Sequence, residues 1–167
     1  GLVTPADGEI RLDGKNLVGR NVRQFLDAGI GFVPEDRGHD GLVGTFTVAE
    51  NLILDRTDGP PFVKAGSLQL ADRDRFAEEK VAEFDIRTQG ITTHAGRLSG
   101  GNQQKVVLAR ELSRDLRVLV ASQPTRGVDV GSIEFIHKRI VETRDAGIPV
   151  IVVATELNDY RTETPEQ

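Results

Sequence analysis

Apolar residues in this chain fall into two periods, and the alternation between them sets out the elements. Ile30-Gly31-Phe32-Val33, Val118-Leu119-Val120-Ala121 and Val150-Ile151-Val152-Val153-Ala154 are short unbroken apolar runs, the pattern of strands buried in a parallel sheet, and the uniformly apolar Val118 to Ala121 is expected to be covered on both faces. Between them the spacing changes to that of helices. Val22, Phe25 and Leu26 share one face, with Gly29 placed to end the helix. Thr47 and Glu50 form a capping box that starts a short helix near Val48, and Ala77, Val81 and Phe84 stripe a charge-dense helix over 72–84. Val106, Leu108, Ala109 and Leu112 give a helix after Ser99, with Lys105, Arg110 and Glu111 assigned to its solvated side. Ile133, Ile136 and Ile140 give another, ending near Ala146-Gly147. The strand, helix and strand from Val118 to Ala154 have the length of a βαβ unit, so the sheet is expected to be parallel there. Residues 9–13 alternate and run into Asp13-Gly14, the signal of a hairpin and hence of a short antiparallel part at the start. The stretch from Asp58 to about Leu70 shows no period.

Composition narrows the functional classes. The 167 residues suit one domain, and a formal charge of −5 without a Lys/Arg run argues against a broad nucleic-acid footprint. No apolar run approaches the roughly 20 residues of a membrane-spanning helix. There is no cysteine, which excludes disulfides and thiol chemistry. His39, His94 and His137 have no metal-ligand spacing.

The chemistry centres on Leu98-Ser99-Gly100-Gly101-Asn102-Gln103-Gln104-Lys105. Ser99 reads as an N-cap, and a helix N-terminus carries unpaired N–H groups and the positive end of the helix dipole. Glycines at 100 and 101 read as room for an anion to approach. The full string resembles the signature motif of ATP-binding-cassette (ABC) ATPases, in the Asn-Gln-Gln form of sugar-type and nucleoside-type importers. The resemblance implies that Ser99, Gly100, Gly101, Asn102 and Gln103 contact the γ-phosphate of an ATP held mainly by a second cassette. It also implies a partial P-loop NTPase fold, α/β with a mainly parallel sheet, an inserted helical subdomain and a short N-terminal antiparallel part.

Other segments carry the same resemblance. Pro34-Glu35-Asp36-Arg37 follows a strand where the family has its Q-loop, and Glu35 takes the place of the usual glutamine. Residues 46–97 correspond to the helical subdomain, on which the family docks a permease. They lie between a core segment, 1–45, and the signature helix with its βαβ unit, 98–160; a tail, 161–167, follows. Pro124-Thr125-Arg126-Gly127-Val128-Asp129-Val130-Gly131 matches the frame leading into the D-loop, which holds Gly127, Val128 and Asp129.

The acidic side of the family's site is missing. Ser122 stands where the family has the aspartate that orders Mg²⁺, and Gln123 where it has the glutamate that activates water. Thr155, in Ala154-Thr155-Glu156-Leu157, replaces the switch histidine. Neither a hydroxyl nor an amide is an efficient general base near neutral pH. No G-x-x-x-x-G-K-[ST] string occurs, and the chain is expected to open just after a P-loop helix and to be cut at both ends.

The implied function is that of a degenerate second nucleotide-binding domain of an importer, with ATP and Mg²⁺ as cofactors of the assembled transporter. Its implied partners are another cassette in the same polypeptide, permease subunits and, indirectly, a substrate-binding protein, at the cytoplasmic face of the membrane. Gln123 to Gly127 with Ile133 to His137 look more like cassettes of nucleoside importers than of ribose importers. A non-transport ABC ATPase and a purely structural half-cassette are the alternatives.

Overall fold

The computed structural model describes residues 3 and 5–155; Glu156, Leu157 and the tail at 161–167 lie outside the described residues. The three predicted strands form one parallel sheet in the order β3 (Ile30–Val33), β6 (Val118–Ser122), β7 (Val150–Val153). Register is uniform: Phe32 pairs with Val120, and Val120 with Ile151. β6 and β7 are joined through α5 (Val130–Asp145), the expected crossover.

One face of this sheet is covered and the other is not. Gly31, Val33, Leu119 and Ala121 are buried with Val106, Val107 and Leu108 of α4 (Gly100–Leu112) and Ile136 and Ile140 of α5. Gly31 has no room for a side chain, because a Cβ there would lie 2.9 Å from Leu116 Cδ2. On the opposite face Phe32, Ile151 and Val153 are about half exposed. The expectation that the Val118–Ala121 strand is covered on both faces is therefore corrected. Leu119 and Ala121 are fully buried, but Val118 and Val120 are only half-buried, because no described element packs on their side.

The smaller elements follow from local chemistry. β1 (Arg11–Leu12) and β2 (Lys15–Asn16) are joined by Asp13 and Gly14, both in the left-handed region at φ 49° and 77°. α1 (Val22–Asp27) starts at a capping box of Asn21 and Gln24 and ends before Gly29. The Thr47/Glu50 box starts α2 (Val48–Leu52) as predicted, with Thr47 N donating to Glu50 Oε2 at 2.7 Å. A second hairpin, β4 (Val63–Lys64) and β5 (Ser67–Leu68), occupies the stretch that showed no period. Its turn places Ala65 at φ 50°, a conformation its residue type does not signal. α3 (Leu70–Glu83) buries Ala77, with Phe84 buried just past its end and Phe76 and Val81 packed alongside.

The buried apolar residues of α2, α3, α4, α5 and the sheet make one cluster with α4 at its middle. This corrects the assignment of Lys105, Arg110 and Glu111 to a solvated side. All three are buried because α4 is surrounded, and each is paired, as buried charge requires. Lys105 donates to Asp85 Oδ2 at 2.9 Å and lies over the Phe135 ring. Arg110 reaches the Gly41 carbonyl at 2.9 Å. Glu111 accepts from Phe32 N and from Arg114, both at 3.1 Å. Arg114 also binds the Leu26 and Ile30 carbonyls, pinning α4 to the start of β3.

Candidate functional site

The first turn of α4 meets two loops, one following β3 and one following β6. Ser99 caps α4, its Oγ accepting from Asn102 N at 3.4 Å and from Asn102 Nδ2 at 2.9 Å. Ser99 remains exposed and Gly100 half-buried. Asn102 Oδ1 accepts from Arg87 N at 2.8 Å, and Gln103 Nε2 donates to the Ala95 carbonyl at 3.1 Å. These two side chains fix the preceding segment onto α4.

The glycines have a role the sequence did not reveal. A Cβ on Gly100 would overlap the Arg37 guanidinium and lie 2.9 Å from the Gly127 carbonyl. A Cβ on Gly101 would overlap Ser132 Oγ and lie 2.5 Å from Asp129 Oδ2. On the side of each missing Cβ the chain's own atoms fill the space, so the room the sequence suggests for an anion does not lie in that direction. The cause is the close approach of the 126–132 segment to α4.

Asp129 serves as the N-cap of α5, its carboxylate accepting from Ser132 N at 3.0 Å and from Ser132 Oγ at 2.8 Å. Those bonds, the hydroxyl first, hold its pKa below the usual carboxylate range. Val128 packs against the core, and Gly127 turns the chain at φ 65°.

The loop after β3 is bound to the loop after β6. Glu35 forms an ion pair with Arg126. Arg37 reaches across in the same direction, its Nη1 donating to the Arg126 carbonyl at 2.7 Å and its Nη2 to the Gly127 carbonyl at 3.1 Å. Asp36 accepts from Gly38 N and His39 N, which starts a π-helical turn at Arg37–Gly41. Nothing in the family resemblance gives Arg37 a role. The available signal was an acid and a base two residues apart in one loop, facing a base in the other.

Two cavities flank these contacts. One of about 390 Å³ is lined by Glu35, Arg37, Gln103, Arg126 and Gly127. The other, of about 500 Å³, brings Glu35, Gln123, Thr125, Arg126 and Thr155 together. Gln123 sits at φ 47°, its N–H bound to the Val153 carbonyl at 2.7 Å and its Oε1 3.4 Å from both Thr155 N and Thr155 Oγ1. Ser122, at the end of β6, is half-buried and lines neither cavity.

The donor set fits one implied cofactor and not the other. An exposed hydroxyl at the positive end of a 13-residue helix suits a phosphate group of ATP. Mg²⁺ needs oxygen ligands, usually carboxylates. Here the two acid positions are a hydroxyl and an amide, Glu35 is committed to Arg126, and no group of three or more acids or histidines converges among the described residues. No helix among the described residues is long and apolar enough to cross a membrane.

Comparison with known proteins gives the family and the fold. A family model described as "ABC transporter" matches residues 1–126. The nucleoside import ATP-binding protein NupA of Lactococcus lactis subsp. cremoris is 45% identical over 95% of this chain, and the guanosine import ATP-binding protein NupO of Bacillus subtilis is 42% identical over the same share. The ribose import ATP-binding protein RbsA 1 of Rhizobium meliloti is 35% identical over 94%. The chain spans about a third of the length of these relatives, 31% in each case. Among solved structures, the dimeric ABC transporter cassette MJ0796 superposes with a TM-score of 0.76 at 26% identity, covering 96% of this chain and 68% of that one. The fold is that of an ABC cassette, and the chain belongs to the ABC transporter family, as an ATP-binding domain close to those of nucleoside and sugar importers.

Proposed function

We propose that this chain is part of the ATP-binding subunit of an ABC importer for nucleosides or sugars. It lends Ser99, Gly100 and Gly101 to a composite ATP site completed by a second cassette of the same polypeptide. Its own acidic side, at Ser122, Gln123 and Thr155, turns over little, and Mg²⁺ belongs to the other cassette's site. The helical segment 46–97 faces the permease at the cytoplasmic side of the membrane, with a substrate-binding protein acting beyond it. NupA and NupO, the nucleoside and guanosine relatives above, favour nucleosides over ribose.

The observation that carries this reading is an asymmetry within one chain. The donor side keeps an exposed N-cap hydroxyl on a rigidly packed helix. On the acceptor side, Gln123 lies beside Thr155, and Glu35, the carboxylate that shares their cavity, is bound to Arg126. An amide in that setting supplies no general base.

Steady-state ATP hydrolysis by the full-length protein tests the reading. Ser99→Arg places a bulky side chain at the phosphate and removes a donor, a change on the order of 10²–10³-fold in rate. Gln123→Ala costs little. Equal and severe losses from both substitutions would sink the asymmetric reading. The close packing of Gly100 and Gly101 within the chain favours a second reading, a purely structural half-cassette; near-normal hydrolysis after Ser99→Arg would support that one.

A further inference from the structure

Three segments of this domain that are far apart in sequence meet at one side chain. Arg37, from the loop after β3, donates to the carbonyls of Arg126 and Gly127, in the middle of the loop between β6 and α5. The same guanidinium fills the space in front of Gly100. Its Nε is buried without a hydrogen-bond partner among the described residues, so the group is inserted between the segments rather than laid over them. Glu35, two residues earlier, grips the side chain of Arg126.

The backbone of the 126–127 turn is therefore held at two carbonyls, its arginine at the guanidinium, and the first residue of α4 abuts the arginine that does the holding. A planar guanidinium is suited to this, because two of its N–H groups can address adjacent carbonyls in fixed geometry. A lysine ammonium can reach the same place but presents a single point charge.

We propose that Arg37 is a positioning residue. It fixes the Arg126-Gly127 turn against the N-terminus of α4, so that Ser99 and the turn are presented to a bound phosphate as one rigid surface. Arg37 itself need not touch the nucleotide. The proposal rests on the composite-site reading given above, and it adds which residue aligns the donor surface. Misplacing donors by a fraction of an ångström to an ångström costs roughly 10- to 100-fold in rate without removing any donor.

The experiment uses the full-length transporter ATPase and compares Arg37→Ala, Arg37→Lys and Ser99→Arg by kcat, KM for ATP and melting temperature. The expected result is a fall in kcat of about tenfold or more for Arg37→Ala, with KM within about twofold and the melting temperature little changed. Arg37→Lys should recover part of that loss, because one carbonyl contact can re-form. A structural role alone would lower the melting temperature and the active fraction while leaving kcat per folded molecule unchanged, and that result overturns the proposal. So does a kcat for Arg37→Ala within twofold of wild type alongside a severe Ser99→Arg defect, in which case the composite-site reading survives. Near-normal hydrolysis by Ser99→Arg removes both together.

Discussion

Replacing Gly101 with alanine tests the close packing of the signature helix most directly, because the added atom has a known address. The new Cβ would overlap Ser132 Oγ and lie 2.5 Å from Asp129 Oδ2 and 2.7 Å from Ser132 Cβ. Both neighbours belong to the first turn of α5, so relief requires moving α5 away from α4 or breaking its cap. Overpacking a close-packed contact costs about 1–3 kcal/mol. Losing part of the Asp129 cap adds to that cost. Against these, alanine is favoured over glycine in a helix by at most about 1 kcal/mol, and by less in a first turn. The net expectation is a loss of about 1–3 kcal/mol.

Urea unfolding followed by circular dichroism measures this loss as a lower midpoint with an unchanged slope. Gly131→Ala is the matched control. It also lies in the first turn of α5, but a Cβ there meets only Asp129 Oδ1 at an ordinary 3.5 Å, so it should be neutral or slightly stabilising. The pH dependence supplies a second signature. Asp129 has a depressed folded pKa, so its cap contributes stability above the unfolded value of about 3.9 and loses it as pH falls through the lower folded value. If Gly101→Ala disrupts that cap, the gap between wild type and variant narrows in this acid range. A Gly101→Ala protein as stable as Gly131→Ala would refute the packing argument outright.

Two further predictions concern the buried charges and the capping box. Arg114→Met takes from Asp55, 11% exposed, its ion-pair partner and leaves Glu111, 5% exposed, paired with Arg110, so it should destabilise the domain by about 3 kcal/mol by urea midpoint, the low end for a broken buried pair; a loss under about 1 kcal/mol would mean that the network is not coupled. Glu50 has its pKa lowered first by the Thr47 N–H and then by the Thr47 hydroxyl, so its contribution is present above about pH 4.3 and lost as pH falls through the lower folded value. Glu50→Gln keeps an acceptor for the capping box but cannot titrate, and it should flatten the acid limb of stability between about pH 3 and 5. An unchanged acid limb would show that Glu50 is not its source.

The elements legible in the sequence were those whose signal is local. Thr47 and Glu50 announce a capping box within four residues, and Asp13-Gly14 announces its turn within two. Three apolar runs sufficed for the parallel sheet, because a strand buried on even one face by helices keeps its β-branched residues on both. That economy also explains the error at Val118 and Val120: an unbroken apolar run does not say whether one face or two are covered. The β4–β5 hairpin was invisible because its turn uses Ala65 where the expected residue is Asn or Gly. Lys105, Arg110 and Glu111 were misassigned for the opposite reason. Their partners, Asp85, Gly41 and Phe32, are remote in sequence, and a charge reads as solvated until its partner is placed.

Gly100 and Gly101 join the legible to the illegible. From the sequence, two glycines after a hydroxyl admit an anion; from the structure, the space of each missing Cβ is taken by Arg37, Gly127, Asp129 and Ser132. The two readings are compatible because they concern different directions from the same backbone. A glycine's absent side chain points toward the 126–132 segment, while the exposed hydroxyl of Ser99 and the dipole of α4 remain open at the helix end. Without side chains at 100 and 101 the turn comes close enough to α4 for Arg37 to bridge its carbonyls. In the composite site proposed above, a phosphate would gain affinity from this preorganisation and not from added room. Substitutions that disturb the packing behind α4 are therefore expected to weaken the phosphate-facing surface even when Ser99 is untouched.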